Sequence, residues 1–222
     1  MTSTLLAAAQ ARKAEVADGL SAWNYSLAKR LLDWSAALVL LVMASPVMAA
    51  AALAIRINSP GPVFFRQSRV GRHGRLFAIV KFRTMQEGGE GPGVTRQNDS
   101  RVTGVGRLLR KWKIDELPQL WNVLSGQMSL VGPRPDLPQY ILALGAEQHT
   151  LLSLLPGLTG AASLQFRNEE AMLATVPAFQ LEEFYVAEIL PRKVSFDLTY
   201  ARQASLRGDL RILLRTFAAV MC

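Results

Sequence analysis

Two hydrophobic periods run along this chain, and the places where one gives way to the other mark out its parts. Trp23, Leu27, Leu31 and Trp34 recur at helical spacing with Lys29 and Arg30 between them, a mixture of rings and cations that suits a membrane interface. From Ser35 to Ile55 there is no charged residue, a run long enough to cross a hydrocarbon core of about 30 Å as a helix. Ser45-Pro46 stands at its middle. Proline removes one helical hydrogen bond and crowds the preceding turn, so the pattern predicts a sharp kink there. Cations flank both ends (Lys29 and Arg30 before, Arg56 and Arg66 after), so charge distribution names no outer end. A helix that breaks at Ser45-Pro46 and returns to the same face, and a plain spanning helix, both satisfy this pattern. A cleaved signal peptide fits less well, because the leader before the apolar run is too long.

Ser59-Pro60-Gly61-Pro62 then reads as a rigid turn, after which the period shortens. Val63–Gln67 and Leu76–Phe82 are β-branched and aromatic runs separated by Gly71-Arg72-His73-Gly74, the pattern of a hairpin. Glu87–Asn98 is a Gly-rich loop, and Val105–Trp112 a short basic helix. Leu117, Leu120, Trp121 and Leu124 fall at i, i+3, i+4 and i+7, one apolar face of a helix. Asp115 stands where an N-cap belongs, Pro118 is tolerable in the first turn, and Gly126 supplies a stop. Asp115 and Glu116 would then sit at the positive end of a helix dipole. Further helical runs lie near Leu137–Leu144 and at Ala146–Leu155. In the last run, Leu210–Met221, the apolar stripe Leu210, Leu213, Leu214, Phe217 and Met221 suits core packing or a membrane surface. No repeat or linker divides residues 57–222. The expected fold is α/β in an α-rich, mixed sense. A leader (1–28) and a membrane helix-break-helix (29–56) precede one small domain (57–222) with a short β-hairpin and amphipathic interface helices.

Charge sharpens this picture. The 222-residue chain carries +8 although half its residues are hydrophobic. Between Asp33 and Glu87 there is no acid, while Arg56, Arg66, Arg69, Arg72, Arg75, Lys81 and Arg83 all occur. Such a block suits nucleic acid, an anionic membrane surface or a phosphorylated substrate. No helix-turn-helix, zinc or aromatic-platform signature supports nucleic acid. The one cysteine, Cys222, excludes an intrachain disulfide, and with only His73 and His149 an imidazole triad or zinc cage has little to build on. Any proton or nucleophile chemistry falls to carboxylates.

The most informative stretch is Arg110–Pro135. Arg110, Lys111 and Lys113 precede Asp115-Glu116, and Gly-Pro-Arg-Pro (132–135) follows. Carboxylates among cations suit a metal-bound, doubly charged phosphate; an acid before an amphipathic helix is also simply a cap. The surrounding words resemble the bacterial sugar transferases, the monotopic phosphoglycosyl transferases acting on polyprenol phosphate. They are Lys-Arg-Leu-Leu-Asp (29–33), Ser-Pro (45–46), Ser-Pro-Gly-Pro-Val-Phe-Phe-Arg-Gln (59–67), Arg-Val-Gly (69–71) and Lys-Phe-Arg-Thr-Met (81–85). Asp-Glu-Leu-Pro-Gln-Leu-Trp-Asn-Val-Leu (115–124), Met-Ser-Leu-Val-Gly-Pro-Arg-Pro (128–135) and Pro-Gly-Leu-Thr-Gly (156–160) complete an ordered set. Many relatives continue Trp-Ala-Gln-Val and then Gly-Arg; this chain reads Ala-Ala-Ser-Leu-Gln-Phe-Arg-Asn-Glu-Glu (161–170). That departure bears on the sugar rather than on the reaction.

The resemblance implies transfer of a sugar-1-phosphate from a UDP-sugar to polyprenol (undecaprenyl) phosphate with release of UMP. That step would initiate a glycoconjugate such as exopolysaccharide, capsule or O-antigen. It implies Asp115 as nucleophile, forming an aspartyl phosphosugar, with Glu116 as its acidic partner and both acids near Mg2+. Lys81 would line the site. Arg134, held between two prolines, and Arg110 would neutralise phosphate. The Ser45-Pro46 break would make the membrane helix re-entrant, leaving the domain on the cytoplasmic face of the bacterial inner membrane against its lipids. A non-catalytic scaffold of the same fold is the alternative, and a homo-oligomer stays open.

Overall fold

In the computed structural model, which describes residues 19–86, 95, 99–141 and 146–221, the apolar run is one α-helix, α1 (Leu27–Asn58). Ser26 caps it by accepting from the Lys29 N–H. Its 32 residues extend about 48 Å at 1.5 Å per residue. The break expected at Ser45-Pro46 does not divide the segment into two helices; helical structure continues through Pro46. The Val42 carbonyl, deprived of a donor by the missing proline N–H, accepts from the Ser45 hydroxyl at 2.7 Å. The backbone defect is repaired locally, so nothing forces the helix to stop.

Lys29, Asp33, Ala37, Ala51 and Ile55 are the buried positions of α1, with Leu41 and Met48 partly packed between them. Their spacing puts them on one face, so the helix rests on the remaining chain along its length. Leu38, Val39, Val42, Met43, Val47, Leu53 and Ile57 face outward. Lys29 does not serve an interface, as its aromatic company implied. Its Nζ donates to Asp209 at 2.6 Å, and Trp23 Nε1 and the Tyr200 hydroxyl donate to the same carboxylate. Asp33 accepts from Ser129 Oγ at 2.7 Å and Leu130 N–H at 3.1 Å. Buried charges are tolerable only when so satisfied.

The hairpin forms with the expected strands: β1 (Phe64–Val70) and β2 (Leu76–Phe82) pair antiparallel from Phe64↔Phe82 to Val70↔Leu76. Asn122 closes the outer edge of β2, its Oδ1 accepting from Val80 N–H and its Nδ2 donating to the Ala78 carbonyl. Much of the basic block stitches the chain together. Arg69, Arg72 and Arg83 donate to the carbonyls of Pro135, Ser153 and Pro60 respectively.

After α2 (Gly104–Lys111), capped by Thr103, the expected single helix is instead a 3-10 segment, Ile114–Gln119, followed by α3 (Leu120–Leu124). Leu117 of the 3-10 segment and Leu120 and Val123 of α3 pack inward, while Trp121 is 62% exposed. Gly126 ends the run with φ 87°. β3 (Ser129–Val131) follows. Then come α4 (Pro138–Ile141) and α5 (Ala146–Leu151), which ends before the expected Leu155, with residues 142–145 outside the described residues. β4 (Gly157–Thr159) pairs parallel with β3. Gly132, Gly157 and Gly160 touch backbone to backbone there, where any Cβ would collide.

The remaining elements are α6 (Ala161–Gln165), α7 (Glu169–Met172), α8 (Leu181–Phe184), a π-helical turn at Tyr185–Ile189, α9 (Leu190–Gln203) and α10 (Leu206–Met221). In α10 the expected stripe faces outward at Leu210, Leu214 and Phe217, and Ile212 with Leu213 packs inward. The leader as far as residue 18 and the 87–98 loop, residue 95 apart, lie outside the described residues. Among the described residues the architecture is mixed and helix-rich, with two small two-stranded sheets.

Candidate active site

Three segments converge on the adjacent acids. β2 carries Lys81, the 3-10 segment carries Asp115 and Glu116, and the loop after β3 carries Arg134. Lys113, in the left-handed region at φ 52°, turns the chain from α2 into the 3-10 segment. Asp115 is therefore not the N-cap its position implied; it lies one residue inside the first turn. Its carboxylate is buried, and Oδ1 has no hydrogen-bond partner among the described residues. An orphaned buried oxygen is costly in a folded protein, and a catalytic role, a water or an ion is what ordinarily accounts for one.

Glu116 is the opposite case. Arg134 Nη2 donates to Oε1 at 2.7 Å and Nη1 to Oε2 at 3.5 Å, while Lys81 Nζ donates to Oε1 at 3.3 Å. Burial alone would raise its pKa, but Arg134, Lys81 and Lys113 override that and hold it well below the usual carboxylate range. Asp115 is pushed up to about 6, first by burial and then by the Glu116 charge, with Lys81, Lys113 and Arg110 opposing. Burial brings Lys81 down to about 8 against the attraction of Glu116. Glu116 drives the Arg134 guanidinium upward. The two neighbouring acids have thus been pushed apart, one held charged and one left more basic.

Arg110 stands at the rim. Its Nε donates to Thr84 Oγ1 and its Nη1 to Glu170, both at 3.0 Å. Lys81, Glu116 and Arg134 are in direct contact, and the charges of Lys81 and Arg110 reach Asp115. Ser45 and Pro46 belong to no part of this cluster; both lie exposed on α1. Sequence reasoning passed over Glu170 on Arg110, and Glu169, which pairs with Lys193 of α9. The only available signal was that Glu169-Glu170 falls where the chain leaves the wording of its relatives. The set can bind a doubly charged phosphate by cations and offer it a carboxylate oxygen.

A metal fits the donor set in a limited way. Asp115 Oδ1 is free, whereas both Glu116 oxygens are engaged, and among the described residues no group of three acidic, histidine or cysteine side chains forms. That leaves room for a hard cation sharing one or two carboxylates with substrate oxygens rather than for a protein-only cage.

Comparison with known proteins agrees with this chemistry. The profile of the family described as bacterial sugar transferase matches residues 24–222. The UDP-glucose:undecaprenyl-phosphate glucose-1-phosphate transferase of Caulobacter vibrioides is 42% identical over 88% of this chain and 70% of its own length. The enzyme of the same name from Escherichia coli is 38% identical over 86% of this chain and 39% of its own. A UDP-N-acetylgalactosamine-undecaprenyl-phosphate N-acetylgalactosaminephosphotransferase of Aeromonas hydrophila is 35% identical over 89% of this chain and 44% of its own. With its sequence matched from residue 24 onward and its acids and cations gathered at one site, this chain belongs to the bacterial sugar transferase family.

Proposed function

We propose that this protein transfers a sugar-1-phosphate from a UDP-sugar to polyprenol phosphate, releasing UMP, with Asp115 as nucleophile. The observation that carries the reading is the buried, unpartnered Asp115 Oδ1 beside a carboxylate held charged by Lys81 and Arg134. An Asp115 oxygen attacks the sugar-bearing phosphorus; the bond from that phosphorus to the bridging oxygen breaks, and UMP leaves with the electron pair. An oxygen of polyprenol phosphate then attacks the same phosphorus and returns Asp115 as carboxylate. A pKa near 6 makes Asp115 more basic than an ordinary carboxylate yet mostly ionised at neutral pH. Arg134 offers a planar fork for two phosphate oxygens, and Lys81 and Arg110 add point charge. Mg2+ would be held by Asp115 with Glu116 beside it, and when bound it supplies neutralisation of diphosphate charge.

The membrane reading follows from α1. Both its ends pack on the same body, and the stretch between the buried Ala37 and Ala51 rises only about 20 Å, less than the roughly 30 Å hydrocarbon core. The helix therefore lies with its outward apolar face in one leaflet of the inner membrane rather than crossing both, with the catalytic domain on the cytoplasmic face. Since relatives are named for glucose and for N-acetylgalactosamine, the sugar is the variable. UMP release should be measured over a panel of UDP-sugars with polyprenol phosphate and Mg2+. Turnover of at least one donor, with label from that donor trapped on Asp115 when acceptor is omitted, is expected. No release from any donor would refute the transferase reading, and release without a trapped label would refute the covalent one.

A further inference from the structure

One flank of α10 is left open by the packing around it. Its outward stripe is Leu210, Leu214 and Phe217, while Ile212 and Leu213 join a core with Ala37 and Leu41 of α1. Asp209, in the first turn of α10, holds Lys29 of α1, so α10 is fastened along the first half of that helix. Next to the stripe runs a groove of about 640 Å3 between α6 and α10. Leu164, Phe196, Ile212 and Ala219 give it apolar walls. Ala218, one turn beyond Leu214 on the same face, also lines it, so groove and stripe adjoin. Arg167, which follows α6, and Arg215 of α10 border the groove. Neither guanidinium has an ion-pair or side-chain hydrogen-bond partner among the described residues. The acids nearby in the chain are taken: Glu169 pairs with Lys193, Glu170 with Arg110 and Asp209 with Lys29. No acid follows Asp209.

We propose that this groove binds an anionic glycerophospholipid of the surrounding leaflet, its phosphodiester held by Arg167 and Arg215 and one acyl chain lying along the apolar walls. The proposal rests on the reading of α1 as lying in one leaflet, because the stripe of α10, fastened to α1, then meets the same lipid. Two guanidinium forks offer donors to both non-bridging phosphate oxygens. A zwitterionic headgroup carries its own cation, which unpaired arginines repel; a headgroup of net negative charge leaves only attraction. Anionic lipid also collects wherever basic side chains stand at a membrane surface. None of Lys81, Asp115, Glu116 and Arg134 borders the groove. An acceptor phosphate must reach Asp115, so the occupant is a resident lipid rather than polyprenol phosphate. A second copy of the chain, packed here about a two-fold axis, would set Arg167 and Arg215 against their own counterparts.

The full chain, purified in a neutral detergent, should be given dioleoylphosphatidylglycerol or dioleoylphosphatidylcholine and examined by native mass spectrometry. The wild type should retain phosphatidylglycerol in preference to phosphatidylcholine. In Arg167→Gln/Arg215→Gln that preference should fall about tenfold or more, the scale of lost charge-assisted hydrogen bonds. Both arginines are exposed, so their replacement leaves the core intact. A bimane on Ala219→Cys, in a Cys222→Ser background, locates the acyl chain, since Ala219 lines the groove. Phosphatidylglycerol brominated on its acyl chains should quench it more strongly than brominated phosphatidylcholine, and the two arginine substitutions should remove the difference. Equal retention of both lipids, or a preference that survives loss of both arginines, would overturn the site and leave the membrane reading intact. Displacement of bound phosphatidylglycerol by equimolar polyprenol phosphate would assign the groove to the acceptor and overturn the proposal. A lipid-free dimer would do the same by giving the groove to a second copy. Retention of neither lipid by the wild type would refute the membrane reading of α1, and this site with it.

Discussion

Asp115→Asn should inactivate the protein and also stabilise it, and the stabilisation should depend on pH in a defined way. Asp115 titrates near 6 in the fold against 3.8 for the unperturbed group. The folded state therefore binds more protons than the unfolded state between those values, and stability is lost as pH rises from about 4 to about 6. The difference is about 2 units, or roughly 3 kcal/mol at 1.36 kcal/mol per unit, present in full above pH 6. The side chain is 93% removed from solvent, being 7% exposed, so little of this is screened. Asparagine has nearly the same shape and no charge to bury. Its advantage over wild type should be near zero at pH 4, grow through pH 5, and level off above pH 6.

For a chain of this size such a difference corresponds to about 5–10 °C in Tm. Thermal unfolding of both proteins in the same detergent at pH 4, 5, 6 and 8 reads it directly. Asp33, Asp136 and Asp197 contribute equally to both proteins and cancel. A Tm difference independent of pH would show that the Asp115 carboxylate is not held in an unfavourable place. A less stable variant at pH 8 would show that Oδ1 has a partner, and the argument for it as the open position of the site would collapse.

Arg134→Lys keeps a charge but not the fork on Glu116, so UMP release should fall roughly 10- to 100-fold; near wild-type turnover would make Arg134 a structural residue. Asn122→Ala leaves the Val80 N–H and the Ala78 carbonyl unpaired, and denaturant unfolding should show a loss of about 2–4 kcal/mol. Single cysteines at Asn24 and Ser68, in a Cys222→Ser background, should both resist an impermeant thiol reagent in intact cells and react when the cytoplasmic face is opened. Labelling of position 24 alone from outside would establish a spanning helix. Glu170→Gln frees Arg110 of its partner, and the KM for the UDP-sugar should fall a few-fold, as expected when a competing anion is removed; a rise would mean that Glu170 orients Arg110.

What the sequence carried, and what it could not, divides along chain separation. The β1–β2 hairpin was legible from Val63 to Phe82 because its alternation and its Gly-bounded turn are local. So were the Asp115-Glu116 pair and the Arg134 loop, whose wording is distinctive. The winding at Ile114–Gln119 was not. Leu117, Leu120, Trp121 and Leu124 fit an α-helical face, and only packing against β2 and α1 selects the tighter turn that turns Trp121 outward and Val123 inward. Lys29 likewise reads as an interface cation, yet its partner Asp209 stands 180 residues away.

Asp197 belongs to the same class. Nothing in Ser-Phe-Asp-Leu-Thr distinguishes an exposed helical aspartate from a buried one that accepts from a backbone amide of another segment. The motif words carry the acids and cations that gather at one site, because distinctive side chains in one short stretch are what a sequence displays. The groups that hold those words in place come from α1 and α9, far apart in the chain: Asp33 on Leu130 and Asp197 on Ala162. Asp33 grips β3 just before the Arg134 loop, and Asp197 grips the start of α6, which follows β4, the partner strand of β3. Through Asp33, α1 holds β3, the strand that leads into the loop carrying Arg134.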